Sequence, residues 1–121
     1  MSKVDKAYLK QLVETPSVTG TETRIASVVR ERLSEVADEI ETNVMGSVHA
    51  RLAGSGSAPS VMIAAHMDEV GLMVTHISDQ GFLSVAAVGG VDAAILPACV
   101  LTFIRVRKLY VEWWGENLFI L

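Results

Sequence analysis

His66, Asp68 and Glu69 end the apolar part of the segment VMIAAHMDEVGLMV (residues 61–74), and they are the residues of this chain best suited to chemistry. An unbroken apolar run, Val61 to Ala65, stops at the imidazole, and two carboxylates come directly after it. Side chains alternate along extended backbone, so His66 and Asp68 point one way and Met67 the other. A carboxylate beside an imidazole accepts one ring N–H, which fixes the tautomer and makes the free nitrogen a better metal ligand. Spacing alone leaves a second reading open, because a single His at a strand end also packs or caps. The remaining candidates carry less. His49 faces out of a polar alternation as a surface residue, His76 lies within a strand pattern, and Asp92 comes after a Gly pair as a turn carboxylate. Met62, Met67 and Met73 are expected to pack. Cys99 is the single cysteine, so no internal disulfide framework exists, and no electropositive setting marks it as a reactive thiol.

The elements that must position His66 can be read from periodicity. A short apolar run is how a strand buried on both faces reads, and ligands bind where such strands end in open α/β sheets. Residues 60–65 are therefore expected to form a buried strand. Upstream, Val4, Tyr8, Leu9, Leu12 and Val13 have helical spacing over residues 3–14, closed by Pro16. Thr19-Gly-Thr-Glu22 fits a capping box for a second helix with the stripe Ile25, Val28, Val29, Leu33 and Val36. Its other face, Glu22, Arg24, Arg30, Glu31, Arg32 and Glu35, is expected to be solvated surface. Alternation then gives a hairpin, with Ile40, Thr42 and Val44 before a turn at Met45-Gly46 and Val48, Ala50 and Leu52 after it. Gly54 to Pro59 is a flexible connection. Beyond a bend at Gly71, Leu72–Ile77 and Phe82–Val88 pair as a hairpin around Ser78–Gly81, ended by Gly89-Gly90. The first part of the chain reads as α/β, the second part as all-β, and the boundary is expected near Gly71.

The chain has 121 residues, half of them hydrophobic, which bounds it to one small domain or part of a larger one. A net charge of −4 with scattered Lys and Arg gives no nucleic-acid surface. The start MSKVDKAYLK lacks an apolar signal segment, which implies a cytoplasmic protein. The longest membrane-like stretch, Ala93 to Ile104, contains Pro97 and is far below the ~18–20 residues of a spanning helix, so no membrane partner is expected.

AAHMDEVGLMVTHI, with DQGFLSVAAVGG after it, closely resembles the M42 family of metallo-aminopeptidases, some of whose members have been labelled cellulases or endoglucanases. LVETPSVTGTETRIASVVRERL is similar to that family's opening helices, and Asn43 to Leu52 to its hairpin, so the resemblance covers roughly residues 5–98. It implies an α/β fold class: residues 1–71 as the first part of a metallopeptidase catalytic domain, and 72–98 as the start of an inserted β-rich, barrel-like dimerisation domain. It also implies large cytoplasmic homo-oligomers that release N-terminal residues from peptides. The cofactors implied are two divalent ions (Zn or Co), which polarise the scissile carbonyl and lower the pKa of a bridging water. Carried over, His66 is the first metal ligand and Asp68 its orienting catalytic partner. A related metallo-deacylase or amidohydrolase, and a non-catalytic dimerising β module, are the alternatives.

Two ions ~3.5–4 Å apart need about three protein ligands each. The family draws the others from beyond the inserted domain, so this chain is expected to hold at most one weak ion and to be inert alone. From Cys99 onward the text loses the resemblance, and Trp113, Trp114 and Leu118–Leu121 form an apolar tail. Trp has one codon, so the Trp pair must be TGGTGG, and one base earlier this yields Val (or Met) then Val. The same shift permits Val111–Leu121 to become RGVVGRKPIHL and Ile104–Val106 to become HTR, strings similar to the family's. Residues 99–121 are therefore expected to be an out-of-frame tail. Sequencing the gene checks this: the upstream-shifted frame should stay open and run into further carboxylates and a second His, and a stop codon there ends the idea.

Overall fold

The computed structural model of the chain describes residues 5–56, 59–97, 99–105 and 108–112. The expectations for Val4, Trp113, Trp114 and Leu118–Leu121 lie outside the described residues. Two compact units are present, Met1–Asp68 and Glu69–Leu121.

In the first unit, helix α1 (Lys6–Glu14) starts where Asp5 accepts hydrogen bonds from the backbone of Ala7 and Tyr8, both at 3.1 Å. It stops at Thr15, held extended (φ −85°, ψ 113°) by the steric demand of the adjoining Pro16. Helix α2 (Thr23–Ser34) buries Ile25 and Ala26, 3% and 5% exposed, beside Ser17 at 5%. These are the buried residues among those described. The expected capping box is corrected: Glu22 occupies the N-cap position without a side-chain cap bond, and Thr19 points elsewhere. Glu22 Oε1 instead accepts from the backbone of Gly20 at 2.7 Å.

The charged face of α2 is also more than solvated surface. Arg32 reaches back to Asp5 at 3.2 Å and lies over the Tyr8 ring, 5.5 Å from its centre, fastening α1 to α2. Arg30 donates to the Thr42 hydroxyl at 2.8 Å and fastens α2 to strand β1 (Glu39–Thr42). Each exposed contact of this kind contributes up to ~1 kcal/mol. β1 pairs antiparallel with β2 (Val48–Arg51), Glu39 opposite Arg51 and Thr42 opposite Val48. The Asn43 side chain closes the turn by accepting from Met45 N (2.9 Å) and Ser47 N (3.0 Å).

The expected buried strand at residues 60–65 is not formed. No described residue pairs with it, and Val61, Met62 and Ile63 are 85%, 89% and 93% exposed. Met62 therefore does not pack, and Met73 is also exposed. The physical reason is that a strand apolar on both faces needs neighbours for its N–H and C=O groups and cover above and below. Among the described residues the three ladders are antiparallel hairpins between chain neighbours, and none pairs with residues 60–65. Burying an aliphatic side chain contributes ~1.5–3 kcal/mol, so the three exposed residues leave on the order of 5–9 kcal/mol unrealised.

In the second unit, β3 (Gly71–Ile77) and β4 (Leu83–Val88) form the expected hairpin, with a bulge between Val74 and His76. Gly89 must be glycine: its φ is +78°, and an added Cβ would lie 3.0 Å from Val70 Cγ1. Asp92 caps a single 3₁₀ turn, Ala93–Ile95, by accepting from Ala94 N at 2.9 Å. Strands β5 (Thr102–Arg105) and β6 (Lys108–Glu112) pair antiparallel. The chain is thus α/β in content, two helices with small antiparallel sheets. No helix among the described residues is long and apolar enough to cross a membrane.

Hydrogen exchange checks the unpaired segment. The amides of residues 61–65 should exchange near the free-peptide rate while the β3–β4 ladder is protected, and strong protection of 61–65 would contradict this arrangement.

Candidate functional site

His66 and Asp68 are brought together in the first unit. His66 Nδ1 lies 2.9 Å from Asp68 Oδ1 and 3.1 Å from the Asp68 carbonyl oxygen. The second carboxylate oxygen is also engaged, since the Thr19 hydroxyl donates to Asp68 Oδ2 at 2.7 Å. The Thr19 hydroxyl first, and the His66 imidazole second, hold the Asp68 carboxyl below the usual carboxylate range. An ionised carboxylate only accepts, so the proton between it and His66 belongs to Nδ1. In the neutral ring this is the Nδ1–H tautomer, which leaves the Nε2 lone pair free. The His66 side chain is 85% exposed, so Nε2 is open to whatever approaches.

What this can do chemically is limited and specific. A neutral imidazole with Nδ1–H on a carboxylate and Nε2 free is the form in which His binds a divalent metal. The set fits one ligand position. It does not make a complete centre: among the described residues no group of three or more His, Cys, Asp or Glu could hold a metal ion.

The other sequence candidates stay apart. His49 on β2 sits 3.1 Å from Glu41 Oε1 in an exposed cross-strand pair. His76 lies exposed on β3 in the second unit. Asp92 is the cap of the 3₁₀ turn, and the exposed Cys99 thiol donates to the Ile95 carbonyl at 2.9 Å. Thr19 is the site residue that sequence reasoning missed. Its local pattern reads as a helix cap, and nothing nearby in sequence joins it to a carboxylate 49 positions later.

A sequence profile of the M42 glutamyl aminopeptidase family matches residues 46–111. That match includes residues 99–111, the first part of the tail expected to be out of frame. The lysyl aminopeptidase of Pyrococcus furiosus is 46% identical over 101 residues, covering 83% of this chain and 29% of the relative. Among solved structures, an endoglucanase from Thermotoga maritima has a TM-score of 0.71 at 38% identity, covering 77% of this chain and 30% of that one. A TET aminopeptidase from a marine sediment archaeon of the Thaumarchaeota has a TM-score of 0.64 at 32% identity, covering 70% and 24%. The chain therefore spans less than a third of the length of each of these relatives.

Proposed function

The chain belongs to the M42 glutamyl aminopeptidase family, and from that membership we propose that it is part of a metal-dependent aminopeptidase that removes N-terminal residues from peptides. The observation that carries this reading is the His66–Asp68 pair, in which the carboxylate leaves Nε2 free at the end of the apolar run. His66 is the metal ligand through Nε2, and Asp68 orients it. Divalent ions bound there, Zn or Co, supply Lewis acidity toward the scissile carbonyl and an acidified water. The protein's own part at these residues is to hold one imidazole in one tautomer and one direction.

The same reading gives residues 1–71 to a catalytic domain and 72–98 to an inserted dimerisation domain, within a cytoplasmic homo-oligomer. For residues 99–121 the codon pattern supports a displaced frame, whereas the family match through residue 111 and the β5–β6 pairing pull the other way. The 121-residue chain by itself is proposed to be inert, because one imidazole is not a two-metal centre.

A chimera tests the assignment. With the matching segment of the Pyrococcus furiosus lysyl aminopeptidase replaced by this chain's residues, release of p-nitroaniline from aminoacyl substrates should persist. His66→Ala in that chimera should lower kcat/KM by more than the ~10–100-fold typical of losing an outer partner. Turnover of N-acylated substrates alone would favour the deacylase alternative. Release of p-nitroaniline by the 121-residue chain itself, abolished by His66→Ala, would overturn the claim of inertness.

A further inference from the structure

Resting on the reading of His66 as a metal ligand, we propose that Thr19 is a positioning residue of the site: its hydroxyl clamps one oxygen of Asp68 so that the other holds His66 in the Nδ1–H tautomer. Three observations carry this. The first is the bond itself, Thr19 Oγ1 to Asp68 Oδ2 at 2.7 Å, the length of a charge-assisted O–H···O bond. It shares the carboxylate with the 2.9 Å contact from His66 Nδ1, so one group serves both donors.

The second is the turn that aims the hydroxyl. Val18 O accepts from Thr21 N at 2.8 Å and from the Thr21 hydroxyl at 2.6 Å, closing a four-residue turn with Thr19 and Gly20 at its centre. Gly20 has φ +90°, as the third position of a type II turn requires, and its N–H is held by Glu22 Oε1. Thr19 is β-branched and so has few rotamers to choose from. The turn is flanked by the buried residues of this unit, Ser17 before it and Ile25 and Ala26 after it.

The third is the contrast with the segment that carries the ligand. Residues 61–65 are unpaired and exposed, and the His66 side chain itself is 85% exposed. One Asp68 oxygen is held by a hydroxyl on the α2 lead-in, across 49 residues of chain. Thr19 is exposed, so removing its hydroxyl sacrifices little packing.

The test uses the full 121-residue chain with 15N-labelled histidine in the presence of chelator. His66 is assigned by comparison with His49→Gln and His76→Gln variants. The two ring 15N shifts report the tautomer directly, which a purely structural tie would not move. The Nδ1–H form should dominate in the native chain and in Thr19→Ser, which keeps the donor. In Thr19→Val the ratio of Nδ1–H to Nε2–H should fall roughly three- to tenfold, the span of a typical net hydrogen bond. Asp68→Ala, which removes the shared acceptor, sets the limit that Thr19→Val approaches. The proposal fails if the native chain lacks the Nδ1–H form, if Thr19→Val or Asp68→Ala leaves the ratio unchanged, or if Thr19→Ser moves it as Thr19→Val does. Because the readout is free of metal and substrate, an active chimera with an unmoved tautomer sinks the role of Thr19 alone.

Discussion

A carboxylate has two oxygens, and at Asp68 both are committed: one accepts from Thr19 and the other from His66. The site takes its character from that sharing. The contact with Thr19 favours the ionised form, and the ionised form can only accept, so the ring proton of His66 belongs on Nδ1. The outward nitrogen then has a lone pair to give. Three side chains from two separate stretches of sequence thus hold one imidazole in place, although no ladder pairs residues 61–65 just before it.

That lack of pairing has a thermodynamic cause. Ordering backbone costs ~1–2 kcal/mol per residue, and the usual offset is burial of apolar surface. The first unit buries Ile25 and Ala26, while Val61, Met62 and Ile63 face solvent. The contacts that join its elements are polar and exposed, such as Arg32 to Asp5 and Arg30 to Thr42. Contacts of this kind direct the packing more than they stabilise it. An apolar run of this length is suited to the interior of a larger sheet, in keeping with relatives more than twice as long.

Local pattern was legible wherever local physics decides the outcome. The stripe Ile25–Val29 marked α2, the alternation about Met45-Gly46 marked β1 and β2, and Ser78–Gly81 marked the β3–β4 turn. His66 and Asp68 were legible as a pair because a spacing of two on extended backbone places them on one side. What escaped was long-range. The apolar pattern at 61–65 states what the segment needs, and no described residue supplies it. Thr19 has the right chemistry for a cap as well as for a clamp, and the choice depends on where Asp68 lies in space. Arg30 and Arg32 escaped for the same reason, since periodicity assigns a face without naming what stands opposite.

Zinc titration by calorimetry, on the native chain and on His66→Ala, tests the central claim most directly. A single imidazole offering Nε2 predicts at most one weakly held ion per chain, lost on His66→Ala. Two tightly bound ions per chain, or one that survives the substitution, would contradict it.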